Sequence, residues 1–277
     1  ESGRIEEYKV ASDQITSIRM IKGDKIGISY TESLDDNSVD IMIENALASA
    51  EYVKEDPYQK ISGEKDKTHH NNHEKNFQKD STSTQEKINL CLNLEKEVKN
   101  KDSSVKSAPY NGFTERDSEF YLLNTKGTTC YDYSRSFSCY TSALIEKNDK
   151  NSMHYHTSIA RSFKDLDSLK CIEESFNHAN ALLDGTPPSS GKYDVIFTTD
   201  ALSDLFSAFR IIFSGKRAVE GINPYREKLG KSVSSSLLTI KDLPHYQNGL
   251  THYLFDDEGN LKDDLTLIDK GELKSFY

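Results

Sequence analysis

Apolar side chains recur mostly at every second position over residues 4–31, which is the spacing of half-buried strands. They are Ile5, Tyr8 and Val10, then Ile15, Ile18 and Met20, then Ile26, Ile28 and Tyr30. A Gly23-Asp24 turn signal separates the last two runs. The pattern therefore predicts that the chain opens with strands.

Three later segments carry apolar residues at the helical period of about 3.6 residues. They are 36–54, the segment that begins after Ser83, and 167–184. Each begins near side chains that can accept hydrogen bonds from the first helical turn. These candidate caps are Asp35, Asp36 or Ser38, then Ser83 with Glu86, then Asp167 or Ser168. We expect Gly185 to end the third helix in a left-handed conformation.

The middle of the chain is rich in Tyr and Phe. After a polar stretch at 99–118, residues 119–163 predict a three-stranded meander with a turn at Lys126-Gly127. A linker at 186–191 follows. Beyond it we expect a buried strand at 193–197, a core helix at 200–214 capped by Thr198 or Thr199, and further strands up to the last residue.

These elements predict an α+β fold with two domains. An N-terminal strand-helix domain with a mixed or antiparallel sheet covers 1–190, and the start of a β-rich C-terminal domain covers 191–277. Because the last strand ends at the final residue with nothing to cover it, we expect the chain to be truncated. Residues 62–82 contain no aliphatic side chain and many charges and amides, so we expect a flexible polar loop there. Limited proteolysis should cut this loop first.

The net charge of −10, from 45 acidic and 35 basic residues, changes the range of expected partners. Nucleic acids and anionic membranes both attract clustered Lys and Arg, so we expect neither as a partner. No segment approaches the roughly 18 apolar residues of a membrane-spanning helix. The four cysteines form no CxxC pair, which is typical of neither a zinc framework nor a disulfide framework and favours the cytoplasm.

Three groups of residues are candidates for chemistry. His69, His70, His73 and Glu74 carry metal-ligating side chains, but no second histidine follows one helical turn later, so an inert loop is the favoured interpretation. His154 and His156 share one face of a strand, and the favoured interpretation is a solvated face. The acidic turn Asp256, Asp257, Glu258 and Gly259 has oxygen ligands for a cation, although a hairpin with glycine at a positive φ is favoured.

Six motifs stand in the order found in the TldD/PmbA family, formerly called modulators of DNA gyrase, and the chain resembles that family. They are IEEYKVASDQITSIRMIKGDKIGISYTESL, IMIENALASAEY, FYLLNTKGTT, SIARSFKDLD, GKYDVIFTTDALSDLFSAFRIIFSG and LFDDEG. In protease-active members the fifth motif carries His-Glu-x-x-x-His. The resemblance places those three positions near Ser207, Ala208 and Ile212, none of which ligates zinc or acts as a base.

The resemblance implies a PmbA-type, or TldE-type, subunit with no catalytic residue, metal ligand or cofactor of its own. A further cysteine ligand of the family lies in a region beyond Tyr277. Such a subunit pairs with a zinc-bearing TldD-type metalloprotease subunit, and the pair cleaves unfolded or modified peptides. Asp256, Asp257, Glu258 and Gly259 are then family-motif residues with a structural role or a role at a peptide or partner interface.

Two other functions stay open. One is a self-sufficient metallopeptidase that uses the His-rich stretch, and metal content tests it. The other is a regulatory binding protein that modulates a gyrase or an antitoxin. Co-purification with a TldD-type protein distinguishes that role from the role of a partner subunit.

Overall fold

The structure, a computed structural model, describes residues 3–63, 65–70, 80–246, 249–250 and 254–277. The chain divides into two compact units. Unit 1 comprises Glu1–Leu183 and Phe255–Leu261, and unit 2 comprises Asp184–Leu254 and Lys262–Tyr277. No helix among the described residues is long and apolar enough to cross a membrane.

Unit 1 begins with a hairpin that supports a helix. Strands β1 (Thr16–Lys22) and β2 (Lys25–Thr31) pair antiparallel, and helix α1 (Asp36–Glu51) packs against them. A Cβ added at Gly27 would lie 1.7 Å from the carbonyl oxygen of Ala46, so only glycine permits this close approach of helix and strand.

The main sheet of unit 1 has five strands, and all the others pair with its longest one. These strands are β3 (Thr68–His70), β4 (Val105–Ser107), β5 (Gly112–Leu123), β6 (Thr129–Lys147) and β7 (Lys150–Ala160). Strand β6 is antiparallel to β4, β5 and β7 and parallel to β3.

Two helices, α2 (Thr84–Lys99) and α3 (Ser168–Leu182), pack on one face of this sheet. The short 3₁₀ turn Phe163–Asp165 leads into α3. Apolar residues of both helices and of β6 form one buried cluster, which includes Leu94, Val98, Cys139, Ala143, Ile145, Cys171, Ile172 and Ala179. Burial of this cluster is the main source of stability of unit 1.

Unit 2 contains α4 (Thr199–Phe209), the 3₁₀ turn Arg210–Phe213, α5 (Gly215–Val219) and a small antiparallel sheet. The strands of this sheet are β8 (Ile240–Asp242), β9 (Leu265–Asp269) and β10 (Glu272–Leu273), in the order β10-β9-β8. Its core contains Phe213, Leu267, Ile268 and Leu273.

Much of the sequence-based prediction is confirmed. The fold mixes helices with antiparallel and mixed sheets, and α1, α2, α3 and the β5–β6–β7 meander lie where periodicity placed them. The side chain of Asp35 accepts a hydrogen bond from the backbone N–H of Ser38, and Ser83 forms a capping box with Glu86.

The cap of α1 also changes the acidity of its carboxyl group. Side-chain hydrogen bonds from Ser33 and Ser38 lower the pKa of Asp35 to about 2.

Predictions that relied on short apolar runs were wrong. Residues 3–15 form no strand, and Tyr8 and Val10 are exposed. The predicted buried strand at 193–197 is an exposed segment, and no residue of α4 is buried. Alternation makes a strand only where another strand lies beside it, and among the described residues none pairs with these segments.

Three smaller expectations also need correction. Residues Thr68–His70, inside the predicted loop 62–82, form β3, because backbone pairing with β6 does not require apolar side chains. The meander predicted from residue 119 begins earlier, since β5 starts at Gly112 within the polar stretch 99–118, which also contains β4. Gly185 does not have a positive φ. The rest of the predicted loop includes residues 64 and 71–79, which lie outside the described residues.

The capping box yields a stability prediction. Substitution Ser83→Ala removes the acceptor of the Glu86 backbone N–H and one of the two donors to the Glu86 carboxylate, while the Ser83 backbone N–H remains. We expect the free energy of unfolding to fall by about 1 kcal/mol in urea titrations, as for other N-caps. Ser81→Ala, at an exposed position just before the helix, is the matched control and should change it by less than about 0.5 kcal/mol. Equal effects of the two substitutions would contradict the capping role.

Candidate functional site

The acidic turn predicted from the sequence is a tight hairpin whose shape is fixed by its own first carboxylate. Phe255 and Leu261 form an antiparallel bridge at its base. One carboxylate oxygen of Asp256 accepts hydrogen bonds from the backbone N–H groups of Glu258 and Asn260, each at 2.9 Å. Gly259 has a φ of +85°, as the hairpin interpretation predicted.

Side-chain hydrogen bonds attach this turn to the rest of unit 1. The side-chain oxygen of Asn260 accepts from the hydroxyl of Ser62 and the backbone N–H of Gly63, each at 2.9 Å. The Asn124 side chain in turn donates to the Ser62 carbonyl oxygen at 2.9 Å. The Asn-Thr-Lys-Gly turn between β5 and β6 and the acidic turn are therefore joined through the 62–63 segment.

An ion pair makes a second attachment. The Arg19 guanidinium of β1 lies 2.6 Å from a carboxylate oxygen of Glu258. Both side chains are about a third exposed, so solvent screening limits this pair to about 0–1 kcal/mol. It orients the turn more than it stabilises the fold.

Close packing at Gly259 is the third attachment. A Cβ at this position would lie 3.2 Å from the side chains of Cys130, Leu122 and Thr128. The Phe255 ring also packs on Phe120, with ring centroids 6.1 Å apart. The turn thus covers the loop end of the β5–β6 hairpin, where β5 ends and β6 begins.

The charges at this site do not create a nucleophile. Burial, and secondarily the charge of Asp256, raise the pKa of the Cys130 thiol. A thiol held protonated is inert. Asp257 is exposed. Among the described residues no group of three or more His, Cys, Asp or Glu side chains is arranged to hold a metal ion.

The structure places the other sequence-predicted residues apart from this turn or outside its description. Ser207 and Ala208 lie on the exposed surface of α4, and Ile212 lies in the 3₁₀ turn that follows. Of the His-rich group, His69 and His70 belong to β3, and the Nε2 atom of His69 is buried without a hydrogen-bond partner in the described structure. His73 and Glu74 lie outside the described residues.

The interpretation of His154 and His156 as a solvated face was wrong. Both are half-buried on the side of β7 that α3 covers, because the alternation of β7 turns that face towards the helix. The His178 ring of α3 lies 4.8 Å from that of His154. Sequence reasoning missed His178 and also missed Arg19 and Asn260, whose partners are distant in the chain. The sequence offered one sign of these contacts, the i,i+4 spacing of Glu174 and His178, which is typical of a side-chain pair on one helix face.

Three family models match consecutive parts of the chain. They are PmbA/TldA metallopeptidase domain 1 over residues 1–50, the central domain over 78–183 and the C-terminal domain over 190–277. The chain belongs to the PmbA/TldD family. As a family member it is a metallopeptidase-related protein.

Two named relatives align over nearly all of the chain. The Metalloprotease PmbA homolog of Haemophilus influenzae is 22% identical over 275 residues, which are 98% of this chain and 60% of the relative. Metalloprotease PmbA of Escherichia coli O157:H7 is 21% identical over 275 residues, covering 99% of this chain and 61% of the relative. The chain thus spans about three-fifths of the length of these relatives.

Solved structures show the same fold. A Thermotoga maritima protein reported as a candidate modulator of a DNA gyrase superposes with a TM-score of 0.83 at 24% identity, over 99% of this chain and 62% of that chain. TldE from Thermococcus kodakarensis superposes with a TM-score of 0.80 at 20% identity, again over 99% and 62%.

The packing at Gly259 yields a prediction with an internal control. Gly259→Ala and Gly23→Ala both place a side chain at a positive φ, but a Cβ at Gly23 has no atom within 4 Å. We expect Gly23→Ala to destabilise unit 1 by about 1–2 kcal/mol from backbone conformation alone. Gly259→Ala should cost about 1–3 kcal/mol more, from overpacking against Cys130 and Thr128. Chemical unfolding of both variants measures the difference, and equal losses would show that the turn is not tightly packed.

Proposed function

We propose that this chain is the non-catalytic, PmbA/TldE-type subunit of a cytoplasmic metallopeptidase complex. A TldD-type subunit supplies the zinc and the catalytic residues. This chain holds an unfolded or modified peptide in an extended conformation while its partner cleaves it. The observation that carries the proposal is the identity of the side chains at Ser207, Ala208 and Ile212.

Metal-dependent hydrolysis explains why those three positions matter. The metal lowers the pKa of a bound water to near ~7, and a base takes its proton. A protease-active member uses two histidines and a glutamate for these tasks. A hydroxyl, a methyl and a branched alkyl side chain offer neither zinc ligation at neutral pH nor a base. In the proposed complex this chain therefore positions the peptide, and the partner subunit carries out the hydrolysis.

The outer edge of β5 suits an extended peptide. Among the described residues β5 pairs only with β6, so its other edge has no strand partner. Residues 116–121 of this strand are all exposed. Added strands bind through backbone hydrogen bonds, which depend little on sequence. This tolerance fits a complex that accepts unfolded peptides of varied sequence.

The acidic turn supports a second contact in the proposal. Asp256 and Gly259 shape the turn and Glu258 pairs with Arg19, whereas Asp257 is exposed. We assign the shaping of the turn to Asp256, Glu258 and Gly259. We assign a contact with peptide or partner to Asp257.

The proposal predicts the metal content of the purified protein. After mild chelation, elemental analysis should find well under one zinc per chain, because Ser207, Ala208 and Ile212 supply no ligand where protease-active members have two histidines and a glutamate. Zinc that is retained and then lost in a His73→Ala variant would instead favour the rival metallopeptidase that uses the His-rich stretch.

The proposal also predicts synergy in peptide cleavage. The natural full-length protein, its TldD-type partner and their mixture are each incubated with a short unstructured peptide. We expect full cleavage only by the mixture and loss of cleavage when a chelator is added. A substitution of the partner's catalytic glutamate should abolish the activity of the mixture, whereas Glu74→Ala in this chain should leave it unchanged. Chelator-sensitive cleavage by this protein alone would overturn the proposal.

A further inference from the structure

Helix α3 and strand β7 bring a cluster of imidazoles together that the proposed function does not use. The His154 and His178 ring centroids are 4.8 Å apart, with the ring planes inclined at 39°. The Nε2 atom of His178 lies 3.0 Å from a carboxylate oxygen of Glu174, one turn earlier on the same helix. His156 lies two residues beyond His154 on the same face of β7.

The surroundings of His154 contain one carboxylate and two further imidazoles. His156 faces it from β7, and Glu174 and His178 face it from α3. On the β6 side the register partners of His154 and His156 are Ala143 and Thr141, which carry no charge. Burial, then the charges of His178 and His156, lower the pKa of His154, and Glu174 offsets only part of this effect.

We propose that the contact between His154 and His178 is a pH-sensitive latch that holds helix α3 on strand β7 and loosens when both imidazoles are protonated. At neutral pH the two rings pack at the edge of the helix–sheet interface. The Glu174 carboxylate lies 3.0 Å from the Nε2 atom of His178, so the pair has one negative charge beside it. Protons on both rings place two cations side by side with one carboxylate near them, and the two cations repel each other.

The direction of the pH effect follows from proton linkage. An unfolded histidine titrates near pH 6.5, and in the folded chain His154 binds its proton less readily. The stability contributed by the contact is therefore complete above about pH 6.5 and declines as the pH falls below it. The apolar contacts of Cys171, Ile172 and Ala179 are unaffected by protonation, so we expect local loosening of the second half of α3 rather than loss of the fold.

Two measurements on the intact protein test the latch. The first is the thermal unfolding midpoint at pH 7.5 and at pH 5.0 for the natural sequence, His154→Gln and His245→Gln. His245 is exposed and lies in unit 2, and it serves as the matched control. We expect the natural protein and His245→Gln to lose about 2–4 °C more on acidification than His154→Gln does, for about 1 kcal/mol of pH-dependent stability. Equal losses in all three proteins would overturn the proposal.

The second measurement does not depend on how His154→Gln folds. The His154 ring proton resonances are followed by NMR from pH 8 to pH 5 in the natural protein and in His178→Gln. Removing the neighbouring cation should move the titration midpoint of His154 to higher pH. An unchanged midpoint would show that the two rings are not coupled, and the proposal would fail.

Discussion

The backbone hydrogen bonds of strand β6 are the interaction on which unit 1 depends. This strand of 19 residues, roughly 60 Å long at about 3.3 Å per residue, pairs with every other strand of its sheet. Its first part pairs with β3 and β5, and its last part pairs with β7 and β4. A shift of register by one residue would move Cys139, Ala143 and Ile145 from the helix-covered face to the opposite one, so the buried cluster fixes the register. The acidic turn and the imidazole pair both take their positions from this one strand.

Periodicity in the sequence was sufficient where an element supplies its own partner. Helices α1, α2 and α3 make their own backbone hydrogen bonds and carry visible caps, and adjacent strands joined by short turns pair with each other. Periodicity could not predict the structure of segments that form strands only by pairing with a distant part of the chain. The alternating residues before Thr16 and the apolar run at 193–197 look like strands but have no strand beside them in the described structure. Residues Thr68–His70 are polar and lie in a predicted loop, but they pair as a strand with β6.

At the candidate site, too, the sequence revealed local features but not contacts between distant residues. The sequence identified the acidic turn and its glycine, because local side-chain-to-backbone bonds leave a recognisable pattern. It could not identify Arg19 or Asn260, because their partners Glu258 and Ser62 lie 239 and 198 residues away and nothing local marks such pairs. Family membership connects this fold to metallopeptidases. We propose for this chain a role in holding the peptide, since the resemblance places Ser207 and Ala208 of α4 where protease-active members carry a ligand and a base.

The central claim is that this chain binds an extended peptide and leaves it uncut. Hydrogen exchange of its backbone amides, with and without an unstructured peptide, tests the claim most directly when the peptide is weighed by mass spectrometry at the end. Our account predicts slower exchange in residues 116–121 of β5, unchanged exchange in the β1–β2 hairpin and a peptide of unaltered mass. Peptide fragments that disappear when a chelator is added, or binding that leaves β5 exchange unchanged, would contradict it.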